Sequence, residues 1–327
     1  MRALVTGATG CVGANVVEAL LARGYQVRAM RRTTSRLDAL VGLSPEFVLG
    51  DVLDYASLCS AMAGCNVVFH VAAISQYWRN KPDLIYAVNV TGTRNVLRAA
   101  MQEGVERVVV TSSVAVLGMP AHPGQSLDEG ADFNIHPARF HYGHSKLLAE
   151  VEVQRAVAQG LDVVLVNPVS VIGQRDIYFV GGEILRAACR GQTWVAPPGG
   201  MGVVSARAVG KGHILAVERG RTGERYILNG ENISHRQLMR IVAEITGGRQ
   251  PLVTLPRPLM ALVMAVLDLW ACFGGRCPLI SGEQVWLSAR DMYFDGSKAC
   301  QELGFPQVAA RAAVAEAWCW YRAQGLL

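Results

Sequence analysis

Charge is scarce in this chain. Asp, Glu, Lys and Arg make up only 17% of 327 residues, and the net charge of +5 comes in no block of one sign. Arg31-Arg32, with Arg36 just behind, is the one basic doublet. A nucleic-acid partner needs a basic face or stripe, so none is expected. The eight cysteines include no Cys-x-x-Cys pair. Cys272 and Cys277 stand five apart with no nearby His or second pair to complete a zinc set, so no metal is expected. Cys59, Cys189 and Cys319 sit in apolar runs and read as small core residues of a reducing compartment. Long apolar runs are missing too. Leu259 to Phe273 is about 15 residues long and carries Asp268, whereas a membrane span needs about 20. It reads as a buried or partner-facing helix, with peripheral membrane contact as the lesser alternative. No secretory segment precedes the first strand, since Gly7 turns the chain too early for one, and a cytoplasmic location is expected. No internal repeat is visible.

What is present is apolar and rhythmic. Hydrophobic residues reach 51%, and the length suits one large α/β domain or two fused lobes. Short apolar runs predict strands at Arg2–Thr6, Gln26–Met30, Phe47–Leu49, Val67–Val71, Arg107–Thr111 and Val163–Asn167. Amphipathic stretches predict helices at Cys11–Arg23, Ser57–Ala63, Leu84–Gln102 and His141–Ala158. Continuously apolar strands alternating with helices imply a parallel sheet covered on both faces, which right-handed crossovers wind into a doubly wound α/β fold. Ligands of such folds bind at the carboxyl ends of the strands. After Pro168 the rhythm breaks, with short strands such as Arg225–Leu228 and helices such as Arg236–Thr246. The expected division is a dinucleotide-binding domain over 1–168, with a segment returning to it near 202–228. A smaller α/β substrate lobe takes up 169–201 and 229–327.

Two local patterns carry chemistry. Thr6-Gly7-Ala8-Thr9-Gly10-Cys11-Val12-Gly13 joins the first strand to the first helix. There Gly7 permits the turn, Gly10 admits a pyrophosphate close to the backbone, and Gly13 lets helix pack on strand. The helix N-terminus adds free N–H groups and a positive dipole. No acidic residue follows the second strand before Asp38. Arg31 and Arg32 stand there instead and suit a ribose 2′-phosphate, which favours NADP while leaving NAD open. The second pattern is Tyr142-Gly143-His144-Ser145-Lys146. An i, i+4 spacing puts Lys146 beside Tyr142 on one helix face, where an ammonium would lower the phenol's pKa toward neutrality.

The order of these motifs identifies the chain as similar to a known group. The glycine loop, Gly50-Asp51, His70-Val71-Ala72-Ala73, Asn89-Val90-Thr91-Gly92-Thr93, Thr111-Ser112-Ser113, Tyr142 with Lys146, and Asn167-Pro168 together resemble the extended short-chain dehydrogenase/reductases, the NAD-dependent epimerase/dehydratase group. The likeness covers essentially the whole chain. Its nearest branches are the dihydroflavonol-reductase-like enzymes and the hopanoid-associated sugar epimerases. Trp78, the Gly223-to-Leu228 run and the Asn229-Gly230-Glu231-Asn232 turn resemble the latter. The resemblance implies a Rossmann fold and a catalytic set of Ser113, Tyr142 and Lys146. It implies cofactor contacts from Gly7, Thr9, Gly10, Cys11, Val12, Gly13, Arg31, Arg32, Asp51, Val52, Val71, Ala72, Ala73, Thr111, Asn167, Pro168 and Val171, as well as Tyr142 and Lys146. Asn89 is read as a tie between strands and His70 as a packed strand residue. By analogy a homodimer forms through the helix at Leu84–Gln102 and the Tyr142 helix.

The reaction stays open between readings. Ser75, Tyr77, Trp78, Phe140, Tyr178 and Phe179 are plausible substrate walls and favour a hydrophobic small molecule as alcohol or carbonyl. The alternative is epimerisation or dehydration of a nucleotide sugar with internally recycled NAD, for which Arg175, Arg186, Arg190 and Arg207 are the candidate phosphate ligands. Against it, Val204-Ser205-Ala206-Arg207-Ala208-Val209 lacks both acidic residues that the relatives carry there. The second ordinarily caps the next helix, so Ala208 predicts a weak helix start. A non-catalytic dinucleotide sensor is the third reading, and the intact acid/base pair speaks against it.

Overall fold

A computed structural model describes residues 1–76, 80–260, 262 and 282–327. Tyr77, Trp78, Cys272, Cys277 and most of Leu259–Phe273 lie outside the described residues. In chain order the elements are β1 (Arg2–Thr6), α1 (Cys11–Ala22), β2 (Gln26–Arg31), β3 (Glu46–Leu49), α2 (Tyr55–Met62) and β4 (Val67–His70). The helical stretch expected from Leu84 begins at Pro82. It runs as α3 (Pro82–Tyr86), a π turn at Ala87–Thr91 and α4 (Gly92–Gln102). Next come β5 (Arg107–Thr111), β6 (Ser126–Leu127), α5 (His141–Ala158), β7 (Val163–Pro168), β8 (Ser170–Ile172), α6 (Glu183–Cys189) and β9 (Val195–Ala196). The remainder is β10 (Gly200–Ser205), α7 (Ala206–Arg219), β11 (Arg225–Leu228), β12 (Glu231–Ser234), α8 (His235–Thr246), β13 (Val253–Thr254), α9 (Gly282–Ser288), β14 (Asp291–Phe294) and α10 (Ala310–Ala323).

The first sheet is parallel throughout, in the order β11-β7-β5-β4-β1-β2-β3. Its strands are apolar on both faces because both are covered. Ala3, Val5, Val67, Phe69, Val109, Val164 and Val166 enter one core with α1 and α7. Their alternates Leu4, Val68, Val108, Val110, Val163 and Leu165 enter the other, with α2, α4 and α5. Such side-to-side alternation of apolar residues is what a parallel sheet buried between helix layers requires. Strand order reverses beside β1, so a crevice opens at the carboxyl ends of β1 and β4, the place where doubly wound folds bind ligands.

A second sheet runs β12-β10-β14-β6, with β8 also paired to β10. Its core joins Ile172, Leu185, Val203, Leu238, Val242, Val314 and Tyr321. Because β10 lies here, the chain returns to the first sheet only from α7 onward, reaching its edge as β11. Close packing of α7 on α1 depends on Gly210, where a Cβ would stand 2.5 Å from the Asn15 carbonyl oxygen.

Two expectations need correction. Cys189 and Cys319 are exposed, on α6 and α10, so neither fills the core, while Cys59 is half-buried and packs against it. The start of α7 is not weak either. Ser205 caps it by accepting from the Ala208 N–H and donates its own hydroxyl to Glu316 at 3.0 Å. Among the described residues no helix is long and apolar enough to cross a membrane.

Candidate active site

At the carboxyl end of β1 the glycine loop closes on itself, with the Gly10 N–H bonded to the Gly7 carbonyl at 3.0 Å. Gly7 has a φ of 65°, and a Cβ there would lie 2.6 Å from the Ala72 nitrogen. A Cβ at Gly13 would lie 2.1 Å from the Gly7 oxygen. The protein's own packing therefore demands both glycines. Gly10 differs: its backbone is in the extended region, and a Cβ would meet nothing nearer than 3.5 Å. What Gly10 keeps clear is the space in front of α1. That helix starts with no side-chain cap and no acidic residue in its first turn, so its end carries positive potential and unfilled donors. A dinucleotide pyrophosphate fits this cradle, flanked by Thr9, Cys11 and Val12.

The rim of the crevice is held from beneath by a neutral histidine. The Thr6 hydroxyl accepts from the Val71 and Ala72 N–H groups, each at 3.2 Å, so its own hydrogen goes to His70 Nδ1 at 2.9 Å. His70 Nε2 then donates to Thr93 at 2.9 Å, and Thr93 to the Asn89 carbonyl at 2.6 Å. Burial, with Lys146 adding to it, lowers the His70 pKa to about 3. His70 is thus the packed strand residue expected. Asn89 ties the Ile74 loop to Ser145 on α5 instead of joining two strands. Asp51 turns its chain by accepting from the Leu53 N–H, and Val52 packs against Gly92. Arg31 lies over the Phe47 ring, Arg32 is exposed, and neither is paired to a carboxylate among the described residues, whereas Arg36 is paired to Asp38.

Ser113, Tyr142 and Lys146 come together as expected. β5 ends at Thr111, and Ser113 follows in an extended conformation. Its hydroxyl is hydrogen bonded to that of Tyr142, in the first turn of α5. Lys146, one turn on and buried, donates to the Thr111 carbonyl at 2.7 Å. The phenol, however, is not depressed: burial raises its pKa and the Ser113 hydroxyl only partly offsets that. Lys146 itself is shifted, and by burial. Burial lowers its pKa to about 8, and the charge of Glu150 opposes that fall. Thr111 is fixed in turn by a second neutral histidine. His213 Nδ1 donates to the Val209 carbonyl at 2.8 Å, so Nε2 accepts from the Thr111 hydroxyl at 2.7 Å.

Other predicted residues are spread differently. Pro168 is buried at the end of β7, Val171 lies on β8, and Ala73 and Ser75 are exposed on the loop after β4. Asn167 is fully buried beneath the site, with its amide nitrogen on the Ser113 carbonyl at 3.1 Å and on Glu150 at 2.8 Å. Phe140 packs its ring on Gly143 and, edge-on, on Tyr142. Tyr178 is exposed, and its carbonyl meets Gln76. Phe179 is no free wall, because its ring stacks on Tyr321 at 4.6 Å beneath the Arg186 guanidinium. Arg175, Arg186 and Arg207 are bound to Glu18, Glu183 and Glu316, and Arg190 is exposed.

A guanidinium cluster lies elsewhere, at residues the sequence reading passed over. Arg139 and Arg290 both face the Trp286 ring, at 5.4 and 4.4 Å. Burial and the charges of Arg139 and Arg257 lower the Arg290 pKa. Arg257, Trp286, Arg290 and Asp291 line a cavity of about 470 Å³ against Pro120–Pro123, outside the Ser113–Tyr142 cluster, with Arg257 paired to Asp291 at 3.1 Å. Only proximity in the fold joins these groups, which is why no spacing in the sequence marks them.

Residues 3–192 match the model of the NAD dependent epimerase/dehydratase family. The chain belongs to that family. A Synechocystis protein named for dihydroflavonol 4-reductase is 41% identical over 98% of this chain and 94% of its own. Sterol demethylase protein B of Methylococcus capsulatus is 34% identical over the full length of both. The crystal structure of a nucleoside-diphosphate-sugar epimerase from Pseudomonas aeruginosa superposes with a TM-score of 0.82 at 27% identity, over 100% of this chain and 99% of that one. This family member is an extended short-chain dehydrogenase/reductase with a Rossmann sheet, and its relatives carry the names of reductases and dehydrogenases.

Proposed function

We propose that the protein is an NADP(H)-dependent oxidoreductase that reduces a ketone or aldehyde of a hydrophobic small molecule, or oxidises the matching alcohol. The observation that carries this reading is the pairing of the Ser113 and Tyr142 hydroxyls at the carboxyl ends of the strands. A carbonyl oxygen placed between them would take one hydrogen bond from each in exchange for the bond they now share. When bound, the reduced nicotinamide supplies the hydride. Ser113 steadies the oxygen as charge develops there, and Tyr142 gives the proton. A phenol whose pKa burial has raised holds that proton at neutral pH, which suits it to the reductive direction. The Lys146 ammonium opposes the growing negative charge. Arg31 and Arg32, free of carboxylates, would hold a ribose 2′-phosphate, Asp51 the adenine, and Val71, Ala72, Ala73, Pro168 and Val171 the channel. The second sheet's lobe would close over the substrate, and two copies would meet through α4 and α5.

Tyr142→Phe should cut turnover roughly 10²- to 10⁴-fold while leaving cofactor affinity near wild type. Turnover preserved in that variant would sink the mechanism. Fluorescence titration should favour NADPH over NADH, and Arg32→Ala should remove that preference. Equal losses for both cofactors would remove the basis for NADP.

The cavity lined by Arg257 and Arg290 favours a second reading, in which an anionic group such as a sugar nucleotide's diphosphate sits there and the cofactor is recycled internally. NAD retained through purification, seen by native mass spectrometry, would turn the assignment to that reading.

A further inference from the structure

Beneath the catalytic cluster lies a carboxylate that the mechanism above leaves unused. Glu150 is one turn along α5 from Lys146 and is 4% exposed. Its Oε1 accepts from the Ser112 hydroxyl in a very short bond and from Asn167 Nδ2 at 2.8 Å. The same Asn167 nitrogen holds the Ser113 carbonyl at 3.1 Å. Its Oε2 is buried without a hydrogen bond and stands 3.5 Å from the Arg225 guanidinium on β11. One side chain therefore joins the residue after β5, the end of β7 and the start of β11 under the proposed catalytic residues. A buried carboxylate with an unfilled oxygen is destabilising unless charge nearby offsets it. Arg225 is the near cation, and Lys146 is the other positive group in its reach.

We propose that Glu150 is a positioning residue of this active site: through Ser112 and Asn167 it fixes the backbone that presents Ser113, and its charge is the counter-charge of the buried Lys146. The inference rests on the catalytic roles given above to Ser113 and Lys146, but not on the identity of the substrate. Around Lys146 the charged and titratable groups are Tyr142 and Glu150 on α5, His70 at the end of β4, and Arg225 behind Glu150. His213, on α7, stands behind Thr111. Both histidines are held neutral by burial. Glu150 is thus the one carboxylate in this set, and the Lys146 pKa of about 8 is what burial leaves after the charge of Glu150 has opposed it.

The chain has four lysines, Lys81, Lys146, Lys211 and Lys298, so the ionisation of Lys146 can be followed directly in the intact protein. Lysine side-chain NMR, with Lys146→Arg to assign the signal, gives its titration midpoint without any substrate. Glu150→Gln keeps an oxygen for Ser112 and Asn167 and loses only the charge. It should move the Lys146 midpoint down by about one pH unit. Glu150→Asp should restore most of that. Arg225→Gln, which leaves the carboxylate and removes a competing cation, should move it upward. In the reductase assay the alkaline limb of the kcat profile should follow these midpoints. An unchanged Lys146 midpoint in both Glu150→Gln and Arg225→Gln would overturn the proposal. If Glu150→Gln does not fold, Arg225→Gln alone decides it. Shifted midpoints in a protein that turns over no carbonyl would uphold the role of Glu150 and defeat the reductase assignment instead.

Discussion

Gly10 separates what the fold needs from what a ligand needs. Gly7 and Gly13 have backbone atoms where a Cβ would go, but a Cβ at Gly10 would make only an ordinary contact, 3.5 Å from the Gly7 oxygen. Gly10→Ala should therefore keep the melting temperature within a degree or two while weakening dinucleotide binding tenfold or more, as read by nicotinamide fluorescence. Gly13→Ala should lower stability itself, since a methyl group cannot share space with the Gly7 carbonyl. A Gly10→Ala protein that binds NADPH normally would show that the cradle is not where the pyrophosphate sits. The same scale shows what could be read beforehand. Tyr142, Lys146 and the glycine loop stood out because they are closely spaced along the chain, and Ser113 because the resemblance marked it. Glu150 and the arginines around Trp286 did not, because a buried carboxylate or a cation cluster is defined by neighbours that are distant in sequence. Phe179 shows the converse: an aromatic near a site also serves in packing, here against Tyr321.

Among the elements, α7 departs most from expectation. The resemblance leads to an acidic cap being expected where Ala208 stands, yet Ser205, three residues earlier, takes the Ala208 N–H and bridges to Glu316 on α10. Ser205→Ala should cost about 1 kcal/mol of unfolding free energy, measured by urea denaturation. A loss within experimental error would mean water serves that helix end equally well. Elements with a strong period were legible almost to the residue: His141–Ala158 and Arg225–Leu228 fall where the pattern puts them. The sheet to which a short strand belongs was not, as β10 shows. The run Gly-Met-Gly-Val-Val-Ser suits either sheet, and only pairing with β8, β12 and β14 decides.

For the whole molecule, the buried neutral histidines set the response to acid. The His213 pKa is lowered from 6.5 to about 4, chiefly by burial. Below pH 6.5 the unfolded chain takes a proton that the folded one refuses, so stability falls as pH drops from 6.5 toward 4. The full effect is on the order of 3 kcal/mol. His70 acts in the same direction. In His213→Gln the loss of stability between pH 6.5 and 4 should be shallower than in wild type, measured by denaturant titration at each pH. Parallel curves for the two proteins would show that His213 carries no such linkage.

The position of β11 also bears on how the chain is made. The edge of the first sheet beside β7 is filled only by Arg225–Leu228, although β7 ends at Pro168. At 5–20 residues per second, about 3–12 s of synthesis separate the two strands. Through that interval the nascent chain holds Val163–Pro168, a strand buried at every residue in the finished protein, with one side unpaired. An open apolar edge of this kind pairs readily with other chains. The strand thus leaves the ribosome well before the one that shields it, and for that interval its free edge is open to pairing with other chains.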